Sequence, residues 1–498
     1  MLHINLAERD DLSGEIYRQT RRAIVGGMLL PKDRLPSSRE LAQSLNVARS
    51  TVVIAYEQLA GEGFIESVQG AGTFVSVSSS QARKPLDPPR RHALEPRPVW
   101  ATIPLPTAFD HPAEFDFRTG LPDASLFPHR QWRRLIAREL HANEVSGEAK
   151  YGSPAGHAEL RGAIARHIGV SRGISASLDD VVITNGTQQA IDLLSRVLLS
   201  PGDRIAMEDP GYEAPRRAFE AAGIQVIGVP VDGDGLVVDA LPAGVKAIYV
   251  TPSHQYPLTV TMTLARRRAL LDWADRNGAA IIEDDYEGEF RFQGRPLDAL
   301  QTLDTAGRVV YVGSFSKTLL PTLRLGFVVV PENLRLAVQK AKYVSDWTTS
   351  TLEQAALSRF IGDGSFARHV RKASKIYRVR HQMISEIIAV DFAEHLELVP
   401  STTGIHLAAL ARSASIDDIA RVTGRAADAG VQVHRLSSFA VGDTRRAGIV
   451  LGYGAIATDR IEEGLRQLRN AFRGDPSSLP TATTGEISSP RDHDLFPL

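Results

Sequence analysis

Two apolar runs enclose the stretch Val312-Gly-Ser-Phe-Ser-Lys-Thr-Leu-Leu-Pro-Thr-Leu-Arg-Leu-Gly326, and both runs predict buried strands. Between them stands one lysine, Lys317, with hydroxyl groups at Ser314 and Ser316 and a guanidinium at Arg324. Burial lowers the pKa of an amine, and a neutral amine is the form that makes a Schiff base. Hydroxyl and guanidinium groups suit a phosphate. The stretch therefore predicts a covalent ligand site between two strands, with a solvated lysine in a surface loop as the alternative.

A second stretch places a cluster of acids at the end of a predicted strand. It reads Ala279-Ala-Ile-Ile-Glu-Asp-Asp-Tyr-Glu-Gly-Glu-Phe-Arg-Phe292. The carboxyl ends of parallel strands are where open α/β sheets bind ligands. A pyridoxal 5'-phosphate (PLP) site needs a carboxylate against the pyridinium nitrogen and a phenol near the ring oxygen, for which Asp284 and Tyr286 are the candidates. A helix N-terminal cap formed by Asp284 and Asp285 is the alternative.

Three motifs in series resemble one known family. They are Glu283–Phe292, Ser314–Gly326 and Thr251-Pro-Ser-His-Gln-Tyr-Pro257. Together they are similar to the MocR/GabR family of bacterial transcription regulators, which join a GntR-type winged helix to an aminotransferase-like domain. The resemblance implies an α/β protein: an N-terminal winged helix-turn-helix, a large fold-type I PLP-dependent-transferase-like domain and a smaller α+β C-terminal portion.

Composition agrees with a large globular protein and sets limits on its chemistry. A chain of 498 residues predicts two or more domains, and a hydrophobic share of 43% is ample for a core. With a net charge of −1, DNA contact needs a local basic patch. The chain has no cysteine, which excludes disulfides and thiol chemistry. We expect a cytoplasmic protein without a signal peptide or membrane span, and, because the histidines are scattered, no metal site.

Composition and motif order predict four segments. We expect a winged helix at 1–77, a Pro/Arg-rich linker at 78–113, an aminotransferase-like PLP-binding domain at 114–474 and a disordered tail at 475–498. Long helices are expected after Pro331, with solvated cations at Lys340, Lys342, Arg368, Arg371 and Lys372. Later strands are expected at Gly404–Leu410, Val431–Arg435 and Gly448–Tyr453.

The N-terminal segment predicts a helix-turn-helix followed by a wing. A first helix is expected over 13–29, a second over Ser38–Leu45 with Ser37 as its cap, and a third from about Arg49 to Ala60. Arg34 is expected to serve the helix start. The resemblance to GntR winged helices implies DNA contacts by Arg39, Arg49, Ser50, Thr51, Gly70, Gly72 and Thr73. A small helical interaction module is the alternative.

The family resemblance also implies roles around the cofactor. Lys317 would hold PLP as a Schiff base, Tyr212 would stack on the ring, and Tyr151 would reach the phosphate of the partner subunit's cofactor. The expected phosphate cradle is the turn at Gly186, Thr187 and Gln188, together with Ser314, Ser316 and Arg324. His254 is expected to be a satisfied loop residue, with acid–base catalysis as the alternative. After Pro257 the family usually has a small residue and glycine, whereas this chain has Leu258-Thr259.

Substrate recognition departs from the usual enzyme pattern. The strand Gly448-Ile-Val-Leu-Gly-Tyr453 is apolar where aminotransferases commonly carry an arginine, and Ala214 stands where some effector-binding relatives have one. Arg445 and Arg446 lie just upstream as substitutes. We therefore expect little physiological turnover, although residual transaminase activity stays open.

The resulting hypothesis is a PLP-dependent transcription regulator. Its partners would be a double-stranded DNA operator and a second copy of the chain, and it would sense an amino-compound effector that forms an external aldimine. Two alternatives stay open. One is a sensor of PLP itself that controls vitamin B6 synthesis, and the other is an active aminotransferase with a fused DNA-binding module.

Overall fold

The computed structural model describes residue 4 and residues 11–68, 71–76, 94–105, 113–146, 151–292, 298–442 and 446–474. The chain divides into two compact units, Met1–Arg97 and Pro98–Leu498. Within the described ranges, no helix is both long and apolar enough to cross a membrane.

The first unit is a three-helix fold with a small antiparallel sheet. Its elements are α1 (Leu12–Val25), β1 (Arg34–Leu35), α2 (Ser38–Leu45), α3 (Arg49–Gly61), β2 (Ile65–Val68) and β3 (Gly72–Val75), with strand order β1-β3-β2. Ser37 caps α2 as predicted: its hydroxyl accepts from the backbone N–H of Glu40, whose carboxylate accepts from the backbone N–H of Ser37. Val52, Ala55 and Leu59 of α3 are fully buried.

The predicted helix-turn-helix and wing are therefore confirmed, with two differences of detail. Helix α1 ends at Val25, because the backbone turns at Gly26 and reaches φ +74° at Gly27. The expectation that Arg34 serves the helix start is wrong. Arg34 lies in β1, where it pairs with Phe74 of β3.

The second unit is built around an eight-stranded sheet. Its elements up to the end of that sheet are α4 (Val99–Thr102), β4 (Phe115–Asp116), α5 (His129–Ser146), α6 (Ala158–Arg172), β5 (Val181–Thr184), α7 (Gly186–Leu198), β6 (Arg204–Asp209), α8 (Glu213–Ala221), β7 (Gln225–Asp232), β8 (Gly235–Leu236), β9 (Val245–Val250), α9 (Leu264–Asn277), β10 (Ala280–Asp285), β11 (Val309–Ser314) and β12 (Gly326–Val329). The strand order is β5-β12-β11-β10-β9-β6-β7-β8.

The five central strands, β11-β10-β9-β6-β7, are parallel. Antiparallel pairs add β12 and then β5 at one side of the sheet and β8 at the other. Strands β6, β9, β10 and β11 therefore all end at one edge of the sheet. That edge is where ligands bind in open α/β folds. The predicted buried strands on either side of Lys317 are β11 and β12, so this prediction is confirmed.

A smaller α+β portion completes the unit. Its elements are α10 (Arg335–Ser345), α11 (Thr351–Gly362), α12 (Ser365–Asp391), β13 (Leu396–Leu398), β14 (His406–Ala411), α13 (Ile416–Asp428), β15 (Val431–Gln432), β16 (His434–Arg435), β17 (Gly448–Gly452) and α14 (Ile461–Arg473). Strands β13-β14-β17-β16 form an antiparallel sheet, while β15 pairs with β4. The strand predicted over Val431–Arg435 is thus two short strands in two sheets.

One expected solvated cation is buried. Lys342 is 0% exposed. The burial of its amine is compensated by hydrogen bonds to both carboxylate oxygens of Asp346 at 2.7 Å and to Gln189 Oε1 at 2.9 Å. The helical pattern places Lys342 on a polar face, but the sequence does not show that this face packs against α7. Lys340, two residues earlier, is exposed as predicted.

Strand β10 carries a buried ion pair at its carboxyl end. Arg172 Nε lies 2.6 Å from Asp285 Oδ2, and both side chains are less than a tenth exposed. Tyr311 also donates its hydroxyl to the same carboxylate at 2.7 Å. Removing one member of such a pair leaves a buried charge without compensation.

We therefore expect Arg172→Met to destabilise the second unit by about 3–5 kcal/mol, since Asp285 would remain buried without its cation. Chemical denaturation followed by near-UV circular dichroism measures the change. The matched control is Arg196→Met, which breaks the solvent-exposed Arg196–Asp192 pair and is expected to change little. Equal stability of the two variants would contradict the assignment.

Candidate functional site

A cavity of about 360 Å³ opens at the carboxyl edge of the large sheet. Most of the predicted cofactor residues line it: Thr187, Gln188, Tyr212, Asp284, Tyr286, Ser314, Ser316, Lys317 and Arg324. These residues come from the ends of β10 and β11, from the first turn of α7, from the segment before α8 and from the loop between β11 and β12. The fold thus gathers motifs that lie up to 137 residues apart in the chain (187 to 324).

Lys317 lies in the loop that joins β11 to β12, where the paired strands hold both ends of the loop. Its amine donates to the carbonyl oxygen of Gly120 at 2.7 Å. Burial lowers the pKa of the amine, although the charges of Glu287 and Asp284 oppose the shift. A lysine with a lowered pKa reaches its neutral, nucleophilic form more readily. The alternative of an ordinary solvated lysine is inconsistent with this environment.

Asp284 is buried at the end of β10, with one carboxylate oxygen committed and one spare. Its Oδ2 accepts from the hydroxyl of Tyr249 at 2.6 Å, whereas Oδ1 is buried and has no hydrogen-bond partner within the described part of the chain. Burial raises the pKa of this carboxyl to about 7, against the hydrogen bond from Tyr249. Because Asp284 belongs to β10 and Asp285 pairs with Arg172, neither residue is a helix cap.

Three tyrosines form an aromatic wall of the cavity. Tyr212 meets Tyr256 edge-on with ring centroids 5.2 Å apart, and Tyr256 meets Tyr286 in the same manner at 5.6 Å. The Tyr286 hydroxyl donates to the carbonyl oxygen of His254 at 2.9 Å. Because these rings are edge-on to one another, their faces point in different directions. A flat aromatic ligand in the cavity can therefore pack against the face of one of them.

The opposite end of the cavity is built to accept an anion. Gly186 opens α7 with φ +75°, and a Cβ at this position would lie 2.9 Å from Arg324 Nη2. Arg324 also donates to the carbonyl oxygen of Asn185 at 2.9 Å. The N-terminal end of α7, with its positive dipole end, adds to this guanidinium, and Ser314 and Ser316 line the same cavity. This donor set suits a phosphate.

A hydrogen-bond network that includes the buried Lys342 holds the turn before α7. The Asn185 side chain donates to Asp346 Oδ2 at 2.6 Å, and Gln189 donates to the same oxygen at 2.8 Å. Gln189 Oε1 in turn accepts from the backbone N–H of Asn185 at 2.8 Å and from Lys342. Lys342, whose burial was not predicted, therefore holds Gln189 in place, and Gln189 in turn holds the turn that contains Gly186.

Further residues singled out in the sequence lie outside this cavity or its described lining. Tyr151 is not among the described residues that line the cavity; it is 80% exposed and stacks on Trp347 at 4.7 Å. Arg446 donates to the Val231 carbonyl, and Arg445 lies outside the described residues. Thr259, which stands where the family usually has glycine, adopts φ +65°. A β-branched residue is strained in this left-handed region.

Several cavity residues were missed by sequence reasoning. Ile103 and Pro104 line the cavity although they fall within the predicted linker, and Gly120 supplies the carbonyl that accepts from Lys317. Tyr249, which donates to Asp284 but is not among the described residues that line the cavity, was missed as well, because its place opposite Ile282 follows only from the β9–β10 register. Nothing in the local sequence marked Ile103.

His254 is in a loop, as expected, but not all of its ring nitrogens are hydrogen-bonded to a described residue. Its ring is 3% exposed and its Nε2 is buried without a hydrogen-bond partner in the described residues. The fold places it beside Glu287 and His406, which belong to distant segments of the chain. The scattered histidines of the sequence are thus partly brought together.

The predicted DNA-contacting residues lie in the first unit. Arg39 in α2 and Arg49 and Ser50 at the start of α3 are exposed, and Arg49 Nε donates to Ser38 Oγ at 3.3 Å. Thr51, Gly72 and Thr73 are half-buried, with Gly72 and Thr73 in β3. Gly70 lies outside the described residues. The first turn of α3 therefore presents polar groups to solvent, as the recognition helix of a helix-turn-helix does.

Two family models match the two units separately. Residues 12–75 match the gntR family of bacterial regulatory proteins, and residues 122–449 match the class I and II aminotransferases. A solved structure that resembles the second unit is the kynurenine aminotransferase of Pyrococcus horikoshii. The TM-score is 0.67 at 29% identity, covering 73% of this chain and 91% of that one.

Relatives of full length combine both units. The chain is 36% identical over 491 residues to the probable rhizopine catabolism regulatory protein MocR of Rhizobium meliloti, covering 96% of this chain and 97% of that protein. It is 30% identical over 468 residues to the HTH-type pyridoxine biosynthesis transcriptional regulator PdxR of Corynebacterium glutamicum, covering 94% and 97%. The chain therefore belongs to the MocR/GabR family of HTH-type transcription regulators, in which a GntR-type winged helix is joined to an aminotransferase-like domain.

Proposed function

We propose that the second unit binds PLP at Lys317 and senses an amino compound there, and that the first unit transmits the result to a DNA operator. The observation that carries the proposal is the spare buried oxygen of Asp284, which lines the same cavity as Lys317. A buried carboxylate oxygen without a donor is costly. A pyridinium N–H would supply the missing donor and, as a neighbouring cation, would keep the carboxylate ionised.

The remaining cavity residues fit the rest of the cofactor. Gly186, Thr187, Gln188, Ser314, Ser316 and Arg324 are suited to hold the phosphate, Tyr212 to stack on the ring, and Tyr286 to contact the ring oxygen. When bound, PLP supplies an aldehyde that condenses with amines and a ring that withdraws electrons. Lys317 presents its amine to that aldehyde, and the Gly120 carbonyl orients the amine.

The chemistry of the cavity favours sensing over steady turnover. Strand β17 is buried and apolar, whereas aminotransferases commonly carry a carboxylate-binding arginine in the corresponding strand. Arg217 reaches the cavity, but its guanidinium is already paired with Glu213 and Glu220. Among the described residues, these features provide a weaker carboxylate clamp than one that positions a substrate for repeated turnover.

We further propose that the protein acts as a homodimer. Tyr151, Tyr343 and Trp347 form an exposed aromatic cluster, with ring centroids 4.7 and 4.8 Å apart in the two contacts. Such a cluster suits a protein interface. It would place Tyr151 near the phosphate site of the partner subunit, and two winged helices would match a repeated operator half-site.

A second candidate function is sensing of PLP itself to control vitamin B6 synthesis. The apolar strand β17 supports it, because PLP needs no second recognition site for an amino acid. The similarity to a pyridoxine biosynthesis regulator supports it as well. The two candidates differ in whether an amino compound is required beyond the cofactor.

Lys317→Ala is expected to abolish covalent attachment of PLP, because Lys317 is the only lysine among the described residues that line the cavity. Protein incubated with PLP is reduced with borohydride and analysed by peptide mass spectrometry. The wild type should carry the cofactor on Lys317, and the control Lys340→Ala, which alters an exposed lysine, should do the same. Attachment elsewhere, or none in the wild type, would show that the assignment of Lys317 is wrong.

Titration of the PLP-loaded protein with amines and amino acids tests the sensing proposal. One amino compound is expected to shift the visible absorption without producing keto acid. The same compound should change operator affinity by about 5- to 150-fold, the usual range of coupling between sites. If PLP alone changes operator affinity and no amine adds to it, the vitamin B6 sensor is correct instead. Steady keto-acid production would establish the aminotransferase.

Arg49→Ala is expected to weaken operator binding by about 1–3 kcal/mol, roughly 5- to 150-fold, since Arg49 opens the recognition helix. The operator is first selected from random-sequence duplexes with the full-length protein, and gel shifts are then compared at fixed salt. Arg18→Ala is the control, because Arg18 is paired with Asp11 and Glu15 on α1. Unchanged affinity for Arg49→Ala would remove this residue from the interface.

A further inference from the structure

Three segments far apart in the chain bring His254, Glu287 and His406 into one buried cluster. His254 lies in the loop after β9, Glu287 follows β10, and His406 is the first residue of β14. Their exposed fractions are 3%, 2% and 0%. The cluster therefore lies between the large sheet and the small sheet, within the second unit.

The donor atoms of the cluster converge on one point. His254 Nδ1 lies 3.3 Å from Glu287 Oε2, and His406 Nδ1 lies 3.4 Å from the same oxygen. One donor atom from each residue can be chosen such that all three lie within 4.8 Å of one another. Zinc bonds to imidazole nitrogen and carboxylate oxygen are about 2.0–2.2 Å, so neighbouring ligands in a tetrahedral site are roughly 3.3–3.5 Å apart. Both measured separations fit this spacing.

Hydrogen bonding accounts for the arrangement only in part. His406 Nδ1 lies 3.4 Å from Glu287 Oε2, which is a long contact, and His406 Nε2 is buried without a hydrogen-bond partner in the described chain. Buried polar atoms are nearly always satisfied, because an unmade hydrogen bond costs about 1–3 kcal/mol. An imidazole in this position can bind another kind of partner.

The Tyr286 hydroxyl does not have to occupy the lone pair of His254 Nδ1. Tyr286 lies 3.2 Å from this nitrogen, but the phenol has only one proton, which it can donate to the His254 carbonyl at 2.9 Å. The same nitrogen lies 3.3 Å from Glu287 Oε2, so one ion can contact both residues.

We propose that His254, Glu287 and His406 form a site for a divalent transition-metal ion, with Zn²⁺ as the ion that fits best. Two nitrogen ligands and one oxygen ligand suit zinc, whereas Ca²⁺ and Mg²⁺ prefer sites made entirely of oxygen. The metal joins the loop after β9, the segment after β10 and strand β14, and so links the two sheets of the unit.

The site also touches the cavity. Glu287 lines the cavity, and Tyr286, which lines it too, contacts His254. The metal therefore sets the position of one cavity wall. This role is separate from the proposed PLP chemistry, because none of the three ligands is assigned to the cofactor.

Metal content of the untagged full-length protein tests the proposal. After dialysis against trace Zn²⁺ and then metal-free buffer, mass spectrometry of the metal is expected to find about one zinc per chain, as for a site with three protein ligands. His406→Gln and Glu287→Gln should each lose most of it. His434→Asn is the matched control: His434 is another buried histidine, hydrogen-bonded to Thr119, and its replacement should leave the zinc in place.

X-ray absorption at the zinc edge keeps the test decisive if a variant fails to fold. Wild-type protein should show nitrogen and oxygen ligands at about 2.0–2.1 Å, with the scattering pattern of two imidazoles. Zn²⁺ should also raise the Tm of the wild type but not that of His406→Gln, because a ligand that binds only the folded state stabilises it. Substoichiometric zinc in the wild type, or a zinc shell without two imidazoles, would overturn the proposal.

Discussion

Burial of four carboxylates around the end of one strand is the constraint on which the site depends. Glu283, Asp284 and Asp285 end β10 and Glu287 follows, and all four side chains are nearly inaccessible to water. Isolated charges in such a place are prohibitively costly, so each carboxylate needs its own partner. The partners come from distant parts of the unit, so the hydrogen bonds and ion pairs of the carboxylates hold those parts together.

Each acid is compensated differently, and the difference sets its role. Glu283 accepts from the backbone N–H groups of Leu300 and Gln301, which ties β10 to the following loop. Asp285 takes the guanidinium of Arg172. Within the described residues, Asp284 accepts from the Tyr249 hydroxyl and keeps Oδ1 without a hydrogen bond, while Glu287 accepts from the backbone N–H of Ile405 and also faces two histidines. The first two carboxylates are structural, and the last two have capacity left for a ligand.

The sequence predicted those features that depend on short segments of chain. The helix-turn-helix follows from the Ser37 cap, and Lys317 between two strands follows from the apolar runs around it, because both signals are local. The burial of Lys342 and the convergence of His254 with His406 could not be predicted in this way. Both depend on which helices and strands pack together although they lie more than a hundred residues apart in the chain. The periodicity of a single sequence does not reveal such long-range packing. Ile103 was missed for the opposite reason, since a proline-rich segment gives no sign that it packs against a cavity.

Ile103 and Pro104 are the described cavity residues nearest in sequence to the winged helix. Helix α4 packs near α8, and the two residues that follow it line the cavity within the same compact unit. Both residues belong to the stretch predicted as the linker, so a ligand in the cavity would contact that stretch directly. A ligand shifts a conformational equilibrium only through contacts that differ between the two states. If ligand binding is coupled to DNA binding, as we propose, the contacts of Ile103 and Pro104 offer a route that does not pass through the rest of the large sheet.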